Sequence, residues 1–169
     1  MLVDILMIFE KGIWFGFAAL GFAVLFNVPR RTLLIVYFLG AIGGLTKLLL
    51  MQSNVPIIIA TFAGASLIGI LSVSAAHNKH APPLVFSIPA VIPMIPGAFA
   101  YRMMLGLIKL SGTLISTETY SQTLAETTSN GLKAFFILMA LATGVAVPML
   151  ISRKETIKKM RRLPDPEQN

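Results

Sequence analysis

The chain has 169 residues, of which 56% are apolar and 12% charged, with a mean hydropathy of +0.80 and a net charge of +7. That balance excludes an ordinary soluble domain and marks an integral membrane protein. The absence of cysteine excludes a disulfide framework and a thiolate metal site.

The charge is not a nucleic-acid footprint, because six of the fourteen basic residues fall between Arg153 and Arg162, directly after an apolar segment, where a cytoplasmic flank belongs. At the other end Asp4 and Glu10 precede Lys11. A signal peptide has a basic start and a small-residue cleavage site, so this segment reads as retained.

Apolar segments fall at about 5–27, 32–51, 55–76, 84–110 and 132–152, each near the ~20 residues that cross a bilayer. They predict an all-α membrane protein: one membrane domain over residues 1–152, about five transmembrane helices, and a basic tail over 153–169. Turn-forming residues separate the spans: Asn27 to Arg31, Gln52 to Asn54, His77 to Pro83, and a long Ser/Thr-rich stretch from Ser111 to Asn130. In that stretch Thr123 and Glu126 have capping-box spacing, so the last helix starts early, near Ser121, or the stretch is a loop. Asp165 to Asn169 reads as a disordered end.

Lys and Arg collect in short cytoplasmic connectors. With the tail inside, that side also receives Arg30, Arg31 and Lys79, and the other receives Gln52 to Asn54 and the stretch with Glu118 and Glu126. The N-terminus is then outside a cell membrane, inner or plasma. Small residues recur at packing spacing in Gly12/Gly16, Gly40/Gly44, Ala60/Gly64 and Ala65/Gly69, which predicts close helix contacts.

The fourth segment carries Pro89, Pro93 and Pro96, the last followed by Gly97. Each proline lacks an N–H and pushes its ring at the carbonyl four residues back, so the carbonyls of Val85, Pro89 and Ile92 lose helical partners. In hydrocarbon such groups persist only where protein or a water-filled cavity surrounds them, and interrupted spans line transporter sites. The fourth helix is therefore expected to be interrupted at Pro93, Pro96 and Gly97. A re-entrant hairpin around Pro96 and Gly97 is the rival topology, with four spans.

The stretch Gly21 to Pro29, the small-residue-rich third span, and Ala90 to Gly97 followed by Tyr101 resemble the threonine/serine exporter family, in its C-terminal membrane half. The likeness covers residues 10 to 152, with Pro93, Pro96, Gly97 and Tyr101 as its most specific part. It implies secondary export of small hydrophilic carboxylates, threonine and serine first, with a C4 dicarboxylate such as succinate as the alternative. It also implies a partner, a second membrane subunit similar to the N-terminal half, since members occur as one long chain or as two subunits. No cofactor is implied.

A helix starting at Gly97 would aim the N–H groups of Gly97, Ala98 and Phe99 inward, where a substrate carboxylate could bind. Arg102, about ten residues from the polar connector, would sit near mid-depth and could hold a carboxylate bidentately. The expected substrate-binding residues are thus Pro93, Pro96, Gly97, Ala98, Tyr101 and Arg102. Lys47, near the end of its span, is expected to snorkel outward. No Asp or Glu lies between Glu10 and Glu118, so a proton-coupled exporter would draw its proton carrier from the partner, or from Glu10 or Asp4.

Other chemistries find little support. His77 and His80 flank Lys79 with no completing ligand and read as a solvated turn. No nucleotide-binding loop, serine-hydrolase elbow or zinc-protease motif is present, so no enzyme is expected. The basic run can touch anionic membrane lipids besides anchoring the topology. The rival of a different class is a non-transporting membrane partner that anchors a second protein.

Overall fold

A computed structural model describes the backbone of residues 2–79, 81–112 and 117–160, and the side chains of 6–79, 81–112 and 119–152. The helices are α1 (Leu2–Leu25), α2 (Leu33–Gln52), α3 (Ile57–Lys79), α4 (Leu84–Val91), α5 (Gly97–Leu110) and α6 (Thr117–Met160), with short 3-10 turns at Arg30–Thr32 and Ile92–Met94. Four stretches, residues 6–25, 30–52, 57–79 and 119–152, are long and apolar enough to cross a membrane. The pair Leu84–Met94 and Gly97–Leu110, bent by 55°, makes a fifth if it forms one span. Phe9, Ile13, Phe17, Leu34, Phe38, Ile59 and Ile70 lie exposed on the outside, as lipid-facing residues do.

The ends of α1 and α2 follow one rule. Asn27 and Asn54 take the left-handed conformation, with φ of 55° and 59°, and the next N–H reaches back five residues, Val28 to the Ala23 carbonyl and Val55 to the Leu50 carbonyl. Asparagine tolerates that conformation, and the closing bonds satisfy carbonyls that a helix end leaves orphaned. Both turns stand where the sequence places them.

Backbones approach closely at the small residues. Gly12 and Gly16 of α1 receive Leu45 and Tyr37 of α2, and Gly40 and Gly44 of α2 receive Ala19 and Phe15 of α1. A Cβ on Gly64 would stand 2.7 Å from the Gly43 carbonyl oxygen, so α2 and α3 meet backbone to backbone there. Gly69 lies against the Val145 and Gly144 carbonyls, and Gly144 against Ala65 and the Phe62 carbonyl, which makes α3 and α6 parallel neighbours. The small-residue pairs are therefore contacts within the chain, replacing the hydrophobic drive that lipid does not supply.

The short α4 sits in the middle, packed on α1, α2 and α3, with Phe86, Ala90 and Met94 buried among Ala19, Ala23, Val36, Leu39, Ala65 and Ile68. By contrast α5 leaves the bundle and packs on α6, with Gly106 on Thr127, Met103 on Gly131 and Phe99 beneath Lys133. Ile58, near the start of α3, shares a cleft with Leu132 and Phe136 of α6. The first turns of α6 thus run past the start of α3 by roughly 25 Å at 1.5 Å per residue, and α5 lies antiparallel along them.

The Ser/Thr-rich connector is consequently mostly helix. It begins at Thr117, so Thr123 and Glu126 lie inside α6 rather than at its cap. There the Thr127 hydroxyl donates to the Thr123 carbonyl at 2.6 Å, four residues back, so the buried hydroxyl is satisfied within its own helix. Of the tail, 153–160 continues α6, while Asp165 to Asn169 lies outside the described residues.

Candidate functional site

The interruption is built in three steps. Pro89 is tolerated inside α4, Pro93 tightens Ile92–Met94 into a 3-10 turn, and the helix then stops, with Ile95 extended at φ −59° and ψ 136°. Pro96 at φ −81° and ψ 56° forms an inverse γ-turn, in which the Gly97 N–H donates to the Ile95 carbonyl at 2.9 Å. α5 starts there.

These turns consume groups that the sequence left open. The Ile92 carbonyl accepts the Ile95 N–H at 3.0 Å, and the Pro96 carbonyl accepts the N–H groups of Phe99 and Ala100. Of the three donors expected to point at an anion, Gly97 and Phe99 are spent within the backbone, which leaves the Ala98 N–H. The helix start is a weaker anion site than the sequence suggests.

A different group faces the break from inside. The Lys47 side-chain nitrogen donates to the Met94 carbonyl at 3.1 Å, and Lys47 is 9% exposed. The snorkelling expectation is overturned: the side chain turns inward because Met94, the last residue before the break, presents a carbonyl that no helical N–H claims. Met94 itself packs on Gly64, whose absent side chain makes the room.

Thr61 joins this level by helix register. α2 and α3 are antiparallel neighbours that touch at Gly43 and Gly64; Lys47 lies one turn after the first and Thr61 one turn before the second. Thr61 is fully buried, and its Oγ1 has no hydrogen-bond partner. Ser72, on the same face of α3, and Ser87 of α4 are also fully buried with unpartnered hydroxyls. Counting from the Met94–Gly64 contact, they share a level about 10 Å further along the seam. Buried polar groups normally have partners, so three unpartnered hydroxyls along the broken span are a distinct feature.

The six residues singled out from the sequence are not gathered in one place. Pro96 is buried; Pro93 faces α1, in a shallow cleft of about 260 Å³ with Lys11, Trp14, Phe15 and Ala18. Gly97, Ala98 and Tyr101 lie on the exposed side of α5, Tyr101 at 65%. Arg102 is exposed in a polar cleft of about 170 Å³ between α5 and α6, with Lys109, Thr123, Glu126, Thr127 and Asn130. The bend and the long α6 carry it to the level of the start of α3, on the far side of the hairpin from Lys47.

The match to known proteins fits this architecture. The family model described as Threonine/Serine exporter, ThrE, matches residues 11–151. The chain belongs to the threonine/serine exporter family. This exporter-family chain is also 38% identical, over 133 residues, to an uncharacterized protein of Haemophilus influenzae. That match covers 79% of this chain and 43% of the relative, so the chain spans less than half of the relative's length. No solved structure matches it.

Within the exporter chain, sequence reasoning found the break but missed its lysine and its hydroxyls. The signal was present: a lysine inside an apolar span, in a chain with no Asp or Glu between Glu10 and Glu118. His77, exposed, has its Nδ1 2.9 Å from the Val73 carbonyl, four residues back; His80 lies outside the described residues.

Proposed function

We propose that this chain is the membrane subunit of a two-component secondary exporter of small hydrophilic carboxylates, threonine and serine first, in a cell membrane with its C-terminus cytoplasmic. The observation that carries the reading is the polar seam along the broken span: Lys47, Thr61, Ser72 and Ser87, buried in an otherwise apolar bundle. Such groups are costly in hydrocarbon unless solute or water meets them. A partner resembling the family's N-terminal half supplies the remaining spans, a reading supported by the relative's greater length.

Succinate is the second reading, favoured by charge. The seam holds a cation, and the chain has no Asp or Glu between Glu10 and Glu118. An amino-acid ammonium prefers a counter-charge, which this chain does not offer there, whereas a second carboxylate can accept from the unpartnered hydroxyls of the seam. Efflux of preloaded labelled threonine, serine and succinate from vesicles containing the chain with its partner tests and ranks these substrates. Efflux above partner-only vesicles is expected. Equal efflux with and without this chain would favour the anchoring role instead.

A further inference from the structure

The Lys47 nitrogen carries more donors than its surroundings use. Among the described residues the Met94 carbonyl is the one acceptor it meets, although a lysine ammonium has three N–H donors. Glu10 of α1 is close to Lys47 in level, since Gly12 packs on Leu45, but it lies exposed and its carboxylate accepts from the Trp14 indole at 3.5 Å. Lys11 is exposed on the same turn of α1. α2, α3, α4 and α5 contain no acid. A buried lysine with one neutral acceptor, level by register with a buried hydroxyl that has none, leaves room in the bonding for an anion.

We infer that Lys47 and Thr61 form a carboxylate subsite, closed in this conformation by the Met94 carbonyl, which a substrate carboxylate displaces. The inference rests on the exporter reading and names the group within the seam that meets the substrate. An ammonium and a hydroxyl both donate, which matches the two oxygens of one carboxylate. Met94 ends the first half of the broken span, and α5 beyond it is packed mainly on α6. Transfer of Lys47 from the Met94 carbonyl to the substrate therefore frees the α4–α5 joint, so that substrate occupancy and the state of the break are one event.

The test is equilibrium binding of labelled threonine, serine and succinate to the reconstituted complex of the full chain and its partner. Wild type is compared with Lys47→Met, Lys47→Arg and Thr61→Val, and threoninamide serves as the analogue without a carboxylate. Lys47→Met is expected to weaken every carboxylate by about tenfold or more, and Thr61→Val by about threefold or more. Lys47→Arg recovers part of the loss, and threoninamide binds wild type and Lys47→Met equally. If Lys47→Met does not assemble, the shape-conserving Thr61→Val decides.

Wild-type binding with unchanged affinity in Lys47→Met and Thr61→Val would overturn the subsite and leave the exporter reading standing. So would loss of the partner in Lys47→Met with unchanged substrate affinity in the remaining complex, which would assign the ammonium to a carboxylate of the partner. No binding of any carboxylate to wild type would overturn the exporter reading itself.

Discussion

Lys47 and Met94, 47 residues apart in the chain, meet in the buried centre of the molecule, where the lysine nitrogen donates to the carbonyl at the end of a half-helix, 3.1 Å away. The contact depends on Gly64, which gives Met94 its place and lets α2 and α3 close at Gly43. A Cβ there would stand 2.7 Å from backbone and 2.8 Å from the Met94 methyl. Gly64→Val is expected to cost about 1–3 kcal/mol or more by overpacking, read as a lower unfolding midpoint in detergent. Gly21→Ala, with nothing within 4 Å, is expected to be neutral or stabilising by up to about 1 kcal/mol. Equal effects at the two glycines would contradict the packing.

The α5–α6 hairpin predicts a cross-link. The Met103 sulfur lies 2.8 Å from where a Gly131 Cβ would stand, and the chain has no cysteine of its own. Met103→Cys with Gly131→Cys is expected to form an intrachain disulfide under mild oxidation, seen as a mobility shift reversed by reductant. A control pair, Met103→Cys with Leu138→Cys, about two helical turns further along α6, should not. Cross-linking of the control pair alone would refute the register.

Much of this was legible in the sequence, and the exceptions have physical causes. Asn27, Asn54, Pro96 and Gly97 announce their turns because each solves a local backbone problem at its own position. Lys47 was misread because a long side chain near a helix end can turn either way, and the carbonyl that draws it inward belongs to a distant segment. The surroundings of Arg102 were not legible because they were counted along a straight helix, whereas the chain bends by 55° and sets it in a cleft against an α6 of 44 residues. The hydroxyls of Thr61, Ser72 and Ser87 gave no signal of their own, since Ser and Thr usually bond the preceding turn of their own helix.

Glu10 offers a prediction about coupling. It is exposed and touches Trp14, away from the seam. Glu10→Gln is expected to leave proton-coupled efflux within about twofold of wild type, because an exposed carboxylate outside the path changes little when neutralised. Abolished coupling with retained substrate binding would move the proton carrier from the partner to this residue.

Gly106 joins α5 to α6 within the hairpin. Its missing side chain admits Thr127, and a Cβ there would stand 2.9 Å from the threonine Cβ. Gly106→Val is expected to loosen α5 from α6 while α1 to α4 stay packed. Limited proteolysis should then cut the first turns of α6 faster, with the unfolding midpoint of the bundle lowered by less than in Gly64→Val. An equal loss of bundle stability would mean that α5 is part of the core.

The most direct measurement places the break in or out of the transport path. Gly97 is exposed at the start of α5 with open space around its Cα, so Gly97→Cys fits without a clash and is the chain's sole thiol. Efflux of labelled threonine, serine or succinate from vesicles of the complex should proceed in this variant and stop when a bulky maleimide reacts with it, while reagent-treated wild type continues. Unchanged efflux from fully labelled Gly97→Cys would contradict the account and return Pro93, Pro96 and Gly97 to the role of structural kinks.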